Sequence, residues 1–186
     1  MIVTHHRQKL INAIIYFAKK TKYCGKTKLL KLLYFLDFWH FKETGKSVTG
    51  LNYAAWEFGP VPVDLYNEIT KKMSPDLKRV VSVDLQGDFH QIKPLKNFDL
   101  KYMTKREKRL LKEIVEIFKD TKAEQMIEST HLPQSPWDAT IKQTGMKGHI
   151  NYLLALDNNS NSLQYDEVIN RQNERQEMYR EFGIEK

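Results

Sequence analysis

Three kinds of residue in this chain could do chemistry: a Gly-Lys-Thr triplet, a single cysteine and six histidines. Gly25-Lys26-Thr27 resembles the end of a phosphate-binding loop, whose backbone N–H groups and lysine hold phosphate oxygens. The complete loop needs another glycine five residues earlier, where this chain has Lys20, and a hydrophobic strand in front of it. The missing glycine and the missing strand therefore argue against a phosphate-binding loop at this triplet.

The cysteine and the histidines lack the partners that catalysis or metal binding would need. Lysines near Cys24 would lower the pKa of its thiol, but no nucleophile motif surrounds it, so we expect a structural thiol. No histidine has a His, Cys or Asp at metal-ligand spacing, and His40 is expected to be a hydrogen-bonded interior or boundary residue. We therefore expect no cofactor, no metal and no enzymatic activity. An enzyme whose site is assembled from distant residues is the alternative that the sequence leaves open.

The net charge is concentrated at the N-terminal end. Residues 1–60 hold ten Lys/Arg and three Asp/Glu, whereas residues 61–186 hold twenty of each, so the whole excess of +7 lies before residue 61. A concentrated positive field attracts nucleic acid or an acidic protein surface. The alternative function is accordingly a nucleic-acid-binding regulator that uses this basic N-terminal region. The absence of a ribonucleoprotein motif and of zinc-ligand spacing weakens that alternative, and a solvated lysine-rich surface explains the charge equally well.

Length and composition indicate one ordinary globular domain over residues 1–186, with 41% hydrophobic and 28% charged residues. No stretch approaches the roughly 20 apolar residues of a membrane span, and the N-terminus has no secretory signal pattern. One cysteine permits no internal disulfide. We therefore expect a cytoplasmic protein with no membrane partner.

The elements that must position these residues follow from hydrophobic periodicity. A first amphipathic helix is predicted from Arg7 to Lys20, and Thr27 is predicted to cap a second that ends at Thr44 before Gly45. The second helix is apolar on nearly all sides, so it should be the buried centre of the fold. After it, residues 51–58 are predicted to be extended, Gly59-Pro60 to form the turn, and Pro62 to begin a helix that ends near Met73.

The rest of the chain is predicted to be one β-hairpin followed by helices. Alternating apolar residues over 80–85 and 89–93 predict the hairpin, and Thr104 with Glu107 predicts a capping box. Further helices are predicted over residues 123–131, from a Ser135 cap, and over residues 165–182, the last with few apolar anchors and therefore light packing. The fold class is mainly α (α+β), a multi-helix domain around a central buried helix with one small hairpin.

Residues 28–66 carry a recognisable pattern. It comprises Lys28-x-x-Lys31-Leu32-Leu33-Tyr34, then Trp39-His40, then Ala55-Trp56-Glu57-Phe58-Gly59-Pro60-Val61-Pro62 and Leu65-Tyr66. The pattern resembles the Panacea domain, the SocA-like antitoxin domain of bacterial and phage type II toxin–antitoxin systems. Phe58 and Leu30 replace the Tyr and Gln common in that family. His131 and Trp137 lie in a weaker match to a Thr-His…Pro-Trp signature, so the resemblance covers roughly residues 27–141.

The resemblance implies a non-catalytic protein that neutralises a cognate toxin by binding it. In one branch of the family the antitoxin resembles a proteolytic adaptor that presents its toxin to a ClpXP-type protease, and other members resemble direct inhibitors. The expected partners are therefore a toxin protein encoded beside this chain and, in the adaptor branch, that protease.

The residues predicted to contact the partner or to carry the family motif are Lys28, Lys31, Tyr34, Trp39, Trp56, Phe58, Gly59, Pro60, Val61, Tyr66, His131 and Trp137. The aromatic members are amphipathic groups of the kind that anchor interfaces, although core packing accounts for each of them as well. Lys28 and Lys31 share one helix face, so they are expected either to pair with acids of a toxin or to form a solvated stripe.

Overall fold

A computed structural model of the chain describes residues 5–87, 89–159 and 162–182. Within these ranges eight α-helices, two β-hairpins and one 3₁₀ turn occur. In chain order they are α1 (His6–Lys20), α2 (Lys26–Thr44), β1 (Tyr53–Trp56), β2 (Gly59–Pro62), α3 (Val63–Thr70), α4 (Pro75–Lys78), β3 (Val81–Gln86), β4 (Phe89–Pro94), α5 (Lys105–Phe118), α6 (Ala123–Thr130), α7 (Pro136–Thr144), the 3₁₀ turn (Tyr152–Ala155) and α8 (Tyr165–Glu181). The prediction of a mainly helical fold is confirmed.

Helix α2 is the centre of the fold, as its all-round apolar sequence predicts. It packs against α1, α5, α6, both hairpins and the 3₁₀ turn. Thirteen of its residues are buried, including Lys28, Lys31 and Asp37. Gly45 ends the helix in the left-handed conformation at φ 69°, and its N–H donates to the carbonyl of Phe41. A helix buried on so many sides can present side chains to solvent only near its ends.

The predicted cap of α2 is wrong by two residues. The helix begins at Lys26 with Gly25 as the N-cap, and no side chain caps it, so Thr27 lies inside the first turn. Gly25 also forms an isolated bridge with Gln91 of β4. A Cβ at position 25 would lie 2.4 Å from Cε2 of Phe89, so a larger residue here would require the partly exposed Phe89 ring to move. The start of the helix therefore packs closely against the hairpin.

The predicted hairpin at residues 80–93 is confirmed, with Val81 to Gln86 paired antiparallel to Phe89 to Pro94. A second hairpin lies at Tyr53–Pro62. The sequence predicts an extended segment, a turn and the start of a helix in this place. Its turn residues are Glu57 and Phe58, so Gly59-Pro60 is not the turn but the start of β2, and Pro62 is the N-cap of α3. Helix α3 ends at Thr70, before the predicted Met73.

Asp37 ties the loop after α2 to the first strand. Its side chain is fully buried, and its Oδ1 accepts hydrogen bonds from the backbone N–H groups of Val48 and Thr49, both at 2.8 Å. Its Oδ2 accepts from the Thr49 hydroxyl at 2.5 Å and the Tyr53 hydroxyl at 2.9 Å. Burial raises the pKa of Asp37 to about 6 in spite of these four bonds. The carboxylate therefore has a structural role.

The predicted helices after the β3–β4 hairpin are confirmed, whereas the four-residue helix α4 was not predicted. Thr104 and Glu107 form the predicted capping box of α5, and Ser135 caps α7. Helix α8 buries Val168, beside Gly45, as expected of a lightly packed helix. His40 and Cys24 are buried, and His40 Nδ1 lies 2.7 Å from the carbonyl of Lys46. Burial raises the pKa of the Cys24 thiol to about 11, so it is a poor nucleophile.

Candidate functional site

A cavity of about 500 Å³ lies where the first turn of α2, the β1–β2 hairpin and the loop after α7 meet. We name it the motif cavity. Its lining consists of Lys26, Thr27, Leu30, Lys31, Trp56, Glu57, Phe58, Val61, Tyr66, Met146 and Lys147. A volume of this size is in the range of ligand pockets, and it also suits a few side chains of a partner protein.

The β1–β2 hairpin forms one wall of the cavity. Trp56 and Tyr66 meet edge to face, with ring centroids 5.0 Å apart. Val61 is buried, whereas Phe58, in the two-residue turn, is 62% exposed. On its other edge β1 pairs with residues 147–150, including Lys147 N–H to Ala55 O at 2.8 Å. The wall is therefore held on both sides, and its turn projects outward.

Gly59 is required by the close packing beneath this wall. Its φ is +92°, a conformation that L side chains rarely adopt. A Cβ at this position would lie 2.6 Å from Oγ1 of Thr130 and 3.0 Å from Nζ of Lys31. The glycine of the Trp-Glu-Phe-Gly-Pro-Val segment therefore brings the strand down onto the lysine of α2 and the end of α6.

Lys31 is the most unusual group of the cavity lining. The residue is 1% exposed, and within the described ranges the carbonyl of Pro60, at 2.8 Å, is the single acceptor that its ammonium contacts. Burial lowers the pKa of Lys31 to about 7, because an ammonium with one hydrogen bond is poorly compensated for the water it has lost.

The downstream motif lies directly behind the hairpin. The indole N–H of Trp137 donates to the carbonyl of Trp56 at 2.9 Å, and the ring stacks on His131 at a centroid distance of 3.9 Å. Burial, and then the charge of Lys31, lower the pKa of His131. His131 Nε2 is buried and has no hydrogen-bond partner among the described residues. The two parts of the pattern, at least 65 residues apart in sequence, therefore form one structure.

Lys28 does not accompany Lys31. Its ammonium donates to three carbonyls, those of Lys22 at 2.7 Å, Lys119 at 3.2 Å and Thr121 at 2.6 Å. The residue is fully buried, and burial lowers its pKa. The interpretation of Lys28 and Lys31 as a solvated stripe is wrong, because neither reaches solvent. Lys28 joins α2 to the loops after α1 and α5, so its contacts are those of a structural residue.

Two predicted aromatics lie away from the motif cavity. Tyr34 is buried against the rings of Phe38 and Tyr53, at centroid distances of 4.3 and 5.7 Å. Trp39 packs against Phe35 and Phe118 on the α5 side of α2. These positions are those of core aromatics, and partner contact through them stays a prediction.

Six residues of the cavity lining are not among the predicted site residues: Lys26, Thr27, Leu30, Glu57, Met146 and Lys147. The first four lie in or beside the family pattern, whereas Met146 and Lys147 carry no motif. The Lys26 ammonium lies 4.8 Å from the centre of the Tyr66 ring. Lys147 has a φ of +66°, uncommon for a residue with a Cβ, and Met146 is 55% exposed. Only the tertiary pairing of residues 147–150 with β1 brings them to the site, so no local signal marks them.

Several of the N-terminal lysines are buried or paired with a carboxylate. Besides the buried pair, Lys9 is paired with Glu107 at 2.6 Å, Lys22 with Asp120 at 2.8 Å and Lys42 with Asp157 at 2.5 Å.

Within the described ranges, no three His, Cys, Asp or Glu side chains gather closely enough to hold a metal ion. Nor does any helix there have the length and apolarity needed to cross a membrane.

Residues 29–138 match the family described as antitoxin SocA-like, Panacea domain. The match covers more than half of the chain, which therefore belongs to this family. Membership indicates an antitoxin role and points to a non-catalytic, regulatory protein with a toxin as partner. No curated protein and no solved structure matches the chain.

Proposed function

We propose that this protein neutralises a cognate toxin by binding it directly, and that the toxin docks over the motif cavity. The observation that carries the proposal is the position of Phe58. The turn residues Glu57 and Phe58 are exposed whereas the other motif residues of the hairpin are buried or half-buried, and the Phe58 ring is 62% exposed at the edge of a 500 Å³ cavity. Large aromatics beside a pocket are typical anchors of protein interfaces.

The build of the hairpin supports the same proposal. Gly59 and the hydrogen bond from Trp137 to Trp56 fix the turn from below, and the pairing with residues 147–150 fixes it from the side. A pre-ordered surface loses little conformational entropy when a partner binds, so more of the contact energy appears as affinity. The family places its most specific sequence element in this segment.

Co-expression tests the proposal. The chain is expressed with the product of the gene encoded beside it, and growth is measured together with formation of a purified complex. We expect wild type to restore growth and Phe58→Ala to bind at least tenfold more weakly, since truncating a hot-spot anchor of an interface costs about 2 kcal/mol or more. Tyr165→Ala is the matched control, because Tyr165 is 56% exposed on α8. A circular dichroism spectrum verifies that each variant folds.

The same assay separates direct inhibition from delivery to a protease. In a host that lacks ClpXP-type proteases, direct inhibition predicts undiminished rescue, whereas an adaptor loses it. Neither rescue nor a complex in any host would contradict the proposed function. Binding to nucleic acid instead of a toxin would show an affinity that falls steeply with salt.

A further inference from the structure

The motif cavity combines apolar walls with an excess of positive charge. Three lysines, Lys26, Lys31 and Lys147, belong to its lining, and Glu57 is the one acidic residue among the lining residues that the structure describes. No other ionisable side chain of the lining offsets this balance of +2. A cavity of this kind is complementary to an anion attached to an apolar body.

The apolar part of the rim comes from two separate segments. Phe58 belongs to the hairpin turn and Met146 to the loop after α7, and they are 62% and 55% exposed. Both line the same cavity as the lysines. An acidic residue inside a chain has neighbours before and after it, which can cover both exposed side chains, whereas a chain terminus has a neighbour on one side only.

We propose that the motif cavity receives one Asp or Glu side chain of the toxin, flanked by apolar residues, and that Lys26, Lys31 and Lys147 attract its carboxylate. The inference rests on the proposed function and names the chemistry of the partner at that site. Lys26 and Lys147 lie at the edge and are partly or fully exposed, so they can contact the carboxylate directly. Lys31 lies deeper, bonded to the carbonyl of Pro60, and acts mainly through its field.

Buried Lys31 fits this role better than a structural one. An ammonium with one acceptor is costly to bury, whereas the same ammonium gains strongly from an anion that enters a space with little water. The charged side chains and the imidazole around it are Lys26 on α2, Lys147 on the loop after α7, Glu57 on the hairpin turn and His131 at the end of α6. Among the described residues, no carboxylate is bonded to its ammonium. An incoming carboxylate would give this lysine a charged partner that the chain itself does not supply.

The test uses a phage library of random linear peptides, displayed with free or blocked carboxyl ends and selected against the full chain. We expect enrichment of peptides with an internal Asp or Glu flanked by bulky apolar residues, equally in both displays. The Lys26→Glu/Lys147→Glu variant should bind the best peptide at least tenfold more weakly. The control Lys105→Glu/Lys112→Glu changes the charge equally on exposed positions of α5, outside the cavity lining, and should keep wild-type affinity.

Several results would overturn the inference. They are no enrichment, enrichment of peptides without acids, binding that needs the free carboxyl end, and equal loss of affinity in both double variants. A cavity that binds nucleotides in thermal-shift assays with ATP or GTP, and no acidic peptide, would also overturn it. Successful rescue by co-expression together with any of these outcomes would overturn the inference and leave the proposed function standing. Failure of the inference can therefore be distinguished from failure of the proposed function.

Discussion

The regions around Asp37 and Lys31 both bury a charge of helix α2, but they differ in how fully that charge is hydrogen-bonded. Asp37 accepts four hydrogen bonds, from Val48, Thr49 and Tyr53. Lys31 donates to the carbonyl of Pro60, its one acceptor in the described part of the chain, and lines the motif cavity. A buried charge with all its partners holds a fold together, whereas one with few partners costs stability and needs another reason to be there.

Lys28 extends this comparison to a pair of identical residues. It is buried like Lys31, one turn earlier on the same helix, yet its ammonium donates to three carbonyls. The two residues therefore share their type and their lack of solvent exposure. The number of carbonyl acceptors distinguishes the structural Lys28 from Lys31, which is assigned to the site. The comparison teaches that burial of a motif residue alone does not decide its role.

The largest expected effect is at Asp37. Asp37→Ala leaves two backbone N–H groups and two hydroxyls without their acceptor in a buried place, so it should lower the free energy of unfolding by about 3–5 kcal/mol. Urea denaturation measures this loss. Asp37→Asn retains one acceptor oxygen and should cost clearly less. A loss below about 1 kcal/mol for Asp37→Ala would break the assignment of Asp37 to the fold.

Gly59→Ala is expected to have the next largest effect. The new Cβ would meet Thr130 Oγ1 at 2.6 Å, and the backbone at φ +92° is strained for alanine, so we expect a loss of about 2–4 kcal/mol. Thr130→Ala removes the nearest colliding atom. In the double variant the cost of Gly59→Ala should therefore fall by about 1 kcal/mol. Strictly additive losses would show that the packing of Gly59 onto Thr130 is unimportant.

The pH dependence of stability sharpens the Lys31 side of the comparison. The pKa of Lys31 is about 7 in the folded chain and about 10.5 ordinarily, so between these values the unfolded state binds more protons. Stability must then rise with pH in this range. Relative to Lys31→Met, the free energy of unfolding of wild type should rise by about 2 kcal/mol from pH 7 to pH 9. Parallel pH profiles of the two proteins would contradict the burial of a poorly compensated ammonium.

The sequence predicted the helices well because their signals are local. Periodicity, the Thr104 capping box and the Ser135 cap all act within a few residues, and each is found in the structure. The β1–β2 hairpin was missed for an equally physical reason. Glu57-Phe58 is not a typical turn pair, and β2 has the sequence Gly-Pro-Val-Pro, whose prolines argue against a strand.

The candidate site was predicted in part. Lys31, Trp56, Phe58, Val61 and Tyr66 were found because they belong to one continuous pattern, and they meet at one cavity. Met146 and Lys147 join it through backbone pairing with β1, which no local signal announces. The different fates of Lys28 and Lys31 depend on which carbonyls surround each ammonium, and spacing in sequence carries no such information.

Lys31→Met is expected to change stability least among these variants. It is also expected to weaken binding of the partner strongly. Methionine fills a similar volume without the charge, so the free energy of unfolding at pH 7 should stay the same or rise by up to about 2 kcal/mol. Glu57→Gln, a neutralising change of the opposite sign on the same cavity, is the matched control and should not weaken binding of an acidic partner.

The most direct test is the affinity of folded Lys31→Met for the toxin encoded beside this chain, measured by calorimetry at pH 7. If Lys31 is kept for the partner and not for the fold, this variant is as stable as wild type and binds the toxin at least tenfold more weakly. Wild-type affinity in the stable variant would contradict the central claim.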